Sequence, residues 1–359
     1  MRHKRLLFAT GTLVVLAVLV KIFSSSGRNV ENSYSNGIYP IIGRVLRILF
    51  GWIPFSIGDI LYGALFLFII WRIIRGIKAL IKKRVTWNSF GWGFVKLFNI
   101  LLIIYLVFNL LWGINYNRQG IASQLQLAME KYSKQDLEQI NELLVEKVNA
   151  SKDFLLRSSE TYPSNKEMFE RVNSAYQTAD SIYPFLKYHN VSIKSSIWGW
   201  LGNYTGFTGY YNPFTGEAQV NTTVPKFLQP YICCHEVAHQ LGYAKEMEAN
   251  FVGYLAAANS QDSLFHYSVY LDLFTYSNRN LYAMDTTASR KYVNELSPAV
   301  KADVNEWKAF VRRHKNPFEP IIRWAYGKYL QSNDQPQGVL AYDEVTSFLI
   351  AYYKKFGKI

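Results

Sequence analysis

The sequence predicts a mainly α-helical protein in which N-terminal transmembrane helices precede an α+β domain with a small β hairpin or sheet. Three long apolar stretches lie within residues 1–115. After them, apolar residues recur mostly at helical spacing, and only residues 191–221 combine short alternating runs with turn residues. We therefore expect a membrane anchor at residues 1–115 and one further domain at residues 116–359.

The chain is strongly basic, but its excess charge is confined to the N-terminal third. It has 359 residues, of which 39 are Lys or Arg and 26 are Asp or Glu. Residues 1–118 contain 15 of the basic and 2 of the acidic residues, whereas residues 119–359 contain 24 of each. A domain with no net charge and no basic stripe is a poor nucleic-acid binder. We expect no nucleic-acid partner and interpret the N-terminal charge as a topology signal.

The apolar stretches cover about residues 6–23, 57–76 and 94–114. Each is close to the roughly 17–25 residues that a membrane-spanning helix needs. Arg72 and Arg75 interrupt the end of the second stretch, but their long side chains can reach the membrane surface. A cleaved signal peptide is the alternative for the first stretch, although Lys21 near its end and the absence of a small-residue cleavage site favour a retained anchor.

The flanking basic residues predict the orientation of the three helices. The N-terminus begins with Arg2, Lys4 and Arg5, and residues 72–84 between the second and third stretches carry six more basic residues. The loop between the first and second stretches has only three. We expect a multi-pass protein of the cytoplasmic membrane, with its N-terminus in the cytoplasm and its C-terminal domain outside. Residues 38–54 of the outer loop have the pattern of an amphipathic helix on the membrane surface.

The β region is predicted to contain one strand at residues 191–194 and a hairpin. Residues 210–211 and 217–221 would form the hairpin, because Asn-Pro-Phe-Thr-Gly between them is typical of a turn. Helices are predicted before it, one capped by Ser133 and one opened by a capping box at residues 164–167.

Residues 230–242 carry the most informative pattern, Pro-Tyr-Ile-Cys-Cys-His-Glu-Val-Ala-His-Gln-Leu-Gly. Proline suits the start of a helix and glycine its end. His235 and His239 are four residues apart, so one helix face presents both imidazoles to a single metal ion. The carboxylate of Glu236 can reach a water on that metal without being a ligand. With 6 His and 16 Glu in the chain, a chance His-Glu-x-x-His match is expected only about 0.005 times, which favours a zinc site over a pair of structural histidines.

A catalytic zinc site needs a third protein ligand and one open position. Glu246 and Glu248 are the candidates, because no further histidine is close in sequence. On an unbroken helix Glu246 would lie about 10.5 Å along the axis from His239, so the chain must turn at Gly242 and begin a second helix. Glu246 and Asn250 would share a face of that helix, which favours Glu246 as the ligand and Asn250 as a partner that orients a ligand. Glu248 stays the alternative third ligand.

Residues 246–250, Glu-Met-Glu-Ala-Asn, resemble the Glu-x-x-Ala-Asp/Asn ligand helix of gluzincin-type metallopeptidases, including the membrane-embedded CAAX-type and stress-induced membrane proteases. The resemblance implies a zincin-like metallopeptidase domain, with Zn2+ as cofactor and Glu246 as a ligand. The chain departs from those families because they place a long insertion where only residues 240–245 separate the two motifs. The whole pattern of three apolar helices and both motifs resembles a family of bacterial membrane proteins of unknown function, which implies no substrate.

Related peptidases also use an edge strand beside the zinc to pair with the substrate backbone. Residues 217–221 are the candidate here, with an ordinary core strand as the alternative. A tyrosine or histidine often stabilises the oxyanion in zincins. With 26 tyrosines in the chain, the sequence does not choose among Tyr243, Tyr254 and others.

Together these residues predict a membrane-anchored, zinc-dependent peptidase that hydrolyses a peptide or protein substrate on the extracytoplasmic side. His235, His239 and Glu246 are the expected ligands, and Glu236 is expected to act as general base and then as proton donor to the leaving amine. The alternatives are a non-enzymatic membrane protein with a structural or sensing zinc site, and a scaffold that binds envelope components. An open coordination position beside a groove would indicate an enzyme, and a fourth protein ligand would indicate a structural site.

Overall fold

The computed structural model describes residues 2–158 and 161–359. These residues are mainly helical and include one small sheet, as the sequence predicts. The α-helices are α1 (Arg2–Ser24), α2 (Gly27–Asn29), α3 (Tyr39–Phe50), α4 (Ile57–Ile81), α5 (Trp87–Leu111), α6 (Gly120–Gln124), α7 (Lys134–Ser158), α8 (Asn165–Ile182), α9 (Gly199–Thr205), α10 (Gln229–Gln240), α11 (Glu246–Ala258), α12 (Ser263–Met284), α13 (Thr286–Glu295), α14 (Pro298–His314), α15 (Glu319–Ser332) and α16 (Val345–Phe356). A π-helical segment lies at Val30–Ile38, and short 3₁₀ segments lie at Gly113–Asn117, Pro184–Leu186, Lys226–Leu228 and Gly338–Glu344.

Among the described residues, three helices are long and apolar enough to cross a membrane, which confirms that part of the sequence prediction. They are α1 from His3 onward, α4 and α5. Helix α5 begins at Trp87, earlier than the predicted residue 94, because Thr86 and Ser89 form a capping box ahead of the apolar stretch. It ends at Leu111, since the chain then tightens into a 3₁₀ turn instead of continuing to residue 114.

The predicted amphipathic helix of the loop between the first two apolar helices is α3. Its buried face carries Tyr39, Gly43 and Arg47. The guanidinium of Arg47 donates hydrogen bonds to the carbonyls of His189 at 3.0 Å and Gln240 at 3.3 Å. The opposite face exposes the apolar side chains Ile41, Val45, Ile48 and Leu49. The polar contacts thus fasten α3 to the rest of the protein, and its apolar face is left outside.

The sheet contains β1 (Ile193–Ser195), β2 (Gly209–Asn212) and β3 (Glu217–Val220) in the order β1-β3-β2. Strands β2 and β3 form the predicted antiparallel hairpin, and β1 pairs with β3 in parallel. For residues 217–221 the sequence predicts either an edge strand or an ordinary core strand, and the structure shows the second, because β3 is hydrogen-bonded on both sides. The edge strand of the hairpin is β2.

Two buried carboxylates join this β region to the start of α4. Glu217 of β3 accepts hydrogen bonds from the backbone N–H groups of Ile57 at 3.1 Å and Gly58 at 2.6 Å. Asp59 accepts one from the backbone N–H of Ile197 at 2.6 Å, just after β1. Negative charge is stabilised at a helix N-terminus, so both carboxylates hold this end of α4 against the sheet.

In the part of the chain that the structure describes, buried apolar residues form one large core and one smaller core. The large core includes residues of α7, α8, α10, α11, α12 and α16. The smaller one combines residues from both sides of the predicted boundary at residue 115, namely Val30, Tyr34, Tyr39, Trp112, Ile114, Tyr116, Tyr211 and Ala244. The division into residues 1–115 and 116–359 stays a prediction, but packing contacts cross it.

Candidate metal centre

The helix that carries the histidines, α10, ends where the sequence predicts. The chain leaves it at Gly242, which has φ +88°, a conformation that favours glycine. A Cβ at this position would also lie only 2.9 Å from the ring of Tyr39. Glycine is therefore required both by the turn and by the close packing of α3.

The turn returns the chain along α10, so α11 begins at Glu246. The two helices pack closely at Gly253, where a Cβ would lie 3.1 Å from the backbone nitrogen of His235. This approach brings Oε2 of Glu246 to 3.3 Å from Nε2 of His235 and 3.4 Å from Nε2 of His239. The potential ligand atoms of these three residues all lie within 4.8 Å of one another.

This donor set fits zinc. Tetrahedral zinc with ligand bonds of about 2.0–2.1 Å separates its donor atoms by about 3.3 Å, close to the distances between Oε2 of Glu246 and the two imidazoles. The same Oε2 atom is buried and makes no regular hydrogen bond within residues 2–158 and 161–359. An unsatisfied buried carboxylate oxygen is unfavourable unless a cation compensates it. Across the described part of the chain, the group able to hold a metal has three members, His235, His239 and Glu246.

Without a cation, the same side chains compensate one another's charge. Burial raises the pKa of Glu246, but the charges of His239 and His235 outweigh burial and hold this pKa well below its usual range. Burial lowers the pKa of His239, but the carboxylate of Glu246 outweighs it and raises this pKa to about 9. A proton thus supplies positive charge that a metal would otherwise supply, so metal binding would displace it.

Glu236 lies beside the histidines and faces the sheet. It is buried, and Gly209 of β2 passes so close that a Cβ there would overlap its carboxyl group. Burial raises the pKa of Glu236 to about 7, although the neighbouring His235 and His239 oppose this shift. Its Oε2 atom makes no hydrogen bond among the described residues. A carboxyl group with this pKa can both accept and donate a proton near neutral pH.

A C-terminal segment supplies contacts to the ligands that the sequence did not predict. The hydroxyl of Tyr326 on α15 donates to Oε1 of Glu246 at 2.9 Å and lies 3.0 Å from the hydroxyl of Tyr342. The backbone N–H of Glu246 donates to Oε1 of Gln335 at 2.9 Å. The ring of Tyr342 is nearly parallel to the imidazole of His235, with centroids 6.2 Å apart. No local pattern distinguishes these residues from the other tyrosines and glutamines of the chain.

The end of α5 also reaches the metal centre. Trp112 follows this helix directly, and its indole Nε1 donates to the carbonyl of His239 at 3.1 Å. The two rings meet edge to face, with centroids 6.0 Å apart. The other side of His239 is oriented by its Nδ1 atom, which lies 2.8 Å from the carbonyl of Tyr243. Trp112 thereby connects the helix of the two histidines to the end of one of the three apolar helices.

The side chains of Asn250, Tyr243 and Tyr254, all named from the sequence, contact residues other than the three candidate ligands. The amide of Asn250 donates to the carbonyl of Tyr342 at 3.4 Å, so it reaches the ligands through that residue. The hydroxyl of Tyr243 donates to Oε1 of Gln124 at 2.7 Å. Tyr254 is packed within the large core.

Glu248 points into a separate buried network. A Cβ at Gly120 would collide with its carboxyl group, and burial raises its pKa although Arg118 lowers it. Arg118 forms a buried ion pair with Glu31 at 2.7 Å and donates to the carbonyl of Gly242 at 3.2 Å. Of the two candidate third ligands, Glu246 is thus the one that lies beside the histidines.

Comparison with known proteins identifies one family. A family model described as "Protein of unknown function (DUF3810)" matches residues 34–350, from the π-helical segment into α16. No curated protein and no solved structure matches the chain. The match covers most of the chain, including α4, α5 and the metal centre. The protein therefore belongs to the DUF3810 family of proteins of unknown function.

Proposed function

We propose that this protein is a zinc-dependent peptidase anchored in the cytoplasmic membrane. The observation that carries the proposal is the spacing of 3.3 and 3.4 Å between the Glu246 carboxylate and the imidazoles of His235 and His239. Three protein ligands leave one position of a tetrahedral zinc open for chemistry. Beside them, Glu236 supplies a buried carboxyl group that is not one of the three.

Zinc bound by these three residues supplies Lewis-acid activation of a carbonyl group and of water. Glu236 handles the protons: its carboxylate accepts one from the attacking water and then donates it to the amine that leaves as the C–N bond breaks. The carboxyl group is buried beside the candidate ligands and its Oε2 atom makes no hydrogen bond among the described residues, so it is available for both steps. Strand β2 lies at the end of the sheet and passes directly over Glu236 at Gly209, so it is the candidate for pairing with an extended substrate.

The proposal includes an orientation. With α1, α4 and α5 spanning the membrane, the basic N-terminus and the basic segment after α4 lie in the cytoplasm. The metal centre, which contacts the end of α5 through Trp112, then lies at the extracytoplasmic surface. A reporter that is active only outside the cytoplasm, fused after Ile359, should be active, and an inactive fusion with intact expression would reverse the orientation.

Metal analysis and hydrolysis by the purified full-length chain test the function. We expect about one zinc per chain and cleavage of some members of a peptide library. Glu236→Gln preserves the size of the side chain and all three ligands, so zinc content and melting temperature should stay near wild type while hydrolysis falls by about 10²–10⁴-fold. The matched control is Glu142→Gln on the exposed face of α7, which should leave both properties unchanged.

The outcomes separate an enzyme from a protein with structural zinc. Full activity of Glu236→Gln on a peptide that the wild type cleaves would remove Glu236 from the mechanism. A wild type that binds zinc tightly but cleaves no peptide would support the structural or sensing role. Absence of zinc from the wild type after metal-replete purification would contradict both.

A further inference from the structure

Helix α15 has two faces with different surroundings. The inner face carries Tyr326, whose hydroxyl donates to the proposed ligand Glu246. The outer face and the preceding turn carry Phe318, Ile321 and Trp324, which are 68%, 64% and 66% exposed. Apolar side chains three residues apart form a continuous stripe on a helix, so this helix presents an apolar surface on the side away from the metal centre.

Helix α9 extends this surface. The side-chain amide of Asn316, in the turn before α15, donates to the carbonyl of Tyr204 at 2.7 Å, and the ring of His314 packs edge-on against Tyr204. We call the exposed side chains of the two helices the aromatic rim: Trp200, Leu201, Tyr204, Phe318, Ile321 and Trp324. An exposed apolar surface of this kind marks an interaction site.

Trp198, directly before α9, links the rim to α4. The indole Nε1 of Trp198 donates to the carbonyl of Asp59 at 3.1 Å. A Cβ at Gly63 would lie 3.0 Å from the same indole, so the ring packs directly on the helix. Gly63 is about 9 Å along the axis from the start of α4. In the proposed orientation this part of α4 is entering the bilayer, and the rim is continuous with that surface.

Basic side chains surround the α15 part of the rim. Residues 312–328 contain a single acidic residue, Glu319, and five exposed basic residues, Arg312, Arg313, Lys315, Arg323 and Lys328. Residues 119–359 as a whole have no net charge, so this concentration is local. Tryptophan and tyrosine favour the headgroup region of a bilayer, and neighbouring basic residues attract anionic lipids.

We propose that the aromatic rim lies in the headgroup region of the extracytoplasmic leaflet, with anionic lipids as its partner. Because the other face of α15 holds Glu246 through Tyr326, the metal centre then lies close to the lipid surface. This placement deepens the proposed function and, for its substrate class, rests on it. The substrates are polypeptide segments that lie on the membrane, such as the juxtamembrane segments of membrane-anchored or lipid-anchored proteins.

A nitroxide label at position 324, introduced by Trp324→Cys into the full chain, tests the lipid contact without requiring activity. The native Cys233 and Cys234 are buried. In vesicles of phosphatidylglycerol and phosphatidylcholine, the label should collide with lipid-dissolved oxygen more than with an aqueous nickel complex. The matched control is Glu142→Cys on α7, a helix that packs on α12, α13 and α16, where the nickel complex should collide more. In vesicles of phosphatidylcholine alone, the label at position 324 should collide less with oxygen and more with the nickel complex.

Phe318→Cys gives a second label position if Trp324→Cys does not fold. Labels at 318 and 324 that meet the nickel complex as often as the label at 142 would overturn the lipid contact, whatever the activity. Protection that appears only with an added protein would assign the rim to a protein partner instead.

For the substrate class, a cleavable peptide bearing a palmitoyl anchor should be hydrolysed faster in these vesicles than the free peptide. Equal rates of hydrolysis for the anchored and the free peptide would overturn the substrate class alone. If neither peptide is cleaved, the proposed function is contradicted, but the lipid contact measured by the nitroxide labels is unaffected.

Discussion

Two regions build the candidate metal centre, and they differ in how far apart their residues lie in the sequence. The ligand region, α10 with the turn and α11, supplies His235, His239 and Glu246 within 12 residues. Trp112, Tyr326, Gln335 and Tyr342 contact these residues from remote parts of the chain. Arg118, which is paired with Glu31, contacts the turn at Gly242. We call these six residues the surrounding region. The comparison teaches that a short stretch of sequence encodes the candidate ligands, whereas the fold brings together the groups that orient them.

The largest expected effect lies within the ligand region and compares its two neighbouring carboxylates. Glu246→Gln replaces an anionic ligand by a neutral amide. Loss of a residue that only hydrogen-bonds a ligand typically weakens metal binding by about 10–100-fold, so zinc affinity should fall here by at least about 10²-fold. Glu248→Gln is the matched control, because that carboxyl group faces Gly120 and Arg118, and zinc affinity should stay near wild type. Titration with a competing chelator measures both.

The reverse pattern has a clear meaning. If Glu248→Gln lost zinc and Glu246→Gln kept it, the third ligand would have been assigned to the wrong carboxylate. The metal would then be bound by His235 and His239 together with Glu248, and α10 and α11 would have to pack differently around Gly242.

The ligand region could be predicted because its geometry follows from helical spacing and one turn. Two histidines four residues apart must share a helix face, and a third ligand at Glu246 requires a reversal that Gly242 permits with φ +88°. The three apolar helices could be predicted for a similar reason, since length and composition are local properties. Their ends were less certain, because a capping box extended α5 to Trp87.

The surrounding region could not be predicted, because its contacts depend on tertiary packing. Tyr326 is 80 residues from Glu246 in sequence, and nothing local separates it from the other tyrosines. For the same reason, the sequence could not decide between an edge and a central position for β3. The short strand β1 pairs with β3 in parallel, although a helix and a strand lie between them in the sequence. This pairing makes β3 central and leaves β2 at the edge.

The next effect concerns the buried ion pair between Glu31 and Arg118, whose side chains are 7% and 2% exposed. Arg118→Met leaves the carboxylate of Glu31 buried without its partner, which costs about 3–5 kcal/mol of folding free energy. The control is Lys291→Met, which removes an exposed pair with Glu295 on α13 worth at most about 0.5 kcal/mol. Thermal unfolding of the detergent-solubilised chain at neutral pH compares them, and equal losses would show that the buried pair does not hold the turn at Gly242.

The same pair predicts a pH dependence. Burial raises the pKa of Glu31, but the hydrogen bond and charge of Arg118 outweigh it and keep this pKa below its ordinary value. A lowered carboxyl pKa stabilises the fold above the pKa of the unfolded state, about 4.3, and this contribution is lost as the pH falls through the folded value. Melting temperatures measured downward from pH 6 should therefore fall more steeply for wild type than for Glu31→Gln, which starts lower. Parallel curves would remove Glu31 from the acid response.

The smallest expected effect is the one that most directly tests the surrounding region. Tyr326→Phe keeps the ring and its packing but removes the hydroxyl that donates to Oε1 of Glu246. Partners that orient a ligand are worth about 10–100-fold in metal affinity, so zinc should bind more weakly while the melting temperature of the metal-free chain stays nearly constant. Tyr329→Phe is the control, since its ring stacks on that of Tyr326 but its hydroxyl pairs with that of Tyr116 at 3.2 Å and not with Glu246. If both variants bind zinc as wild type does, α15 only covers the ligand region, and orientation of the ligands must come from Trp112 and Gln335 instead.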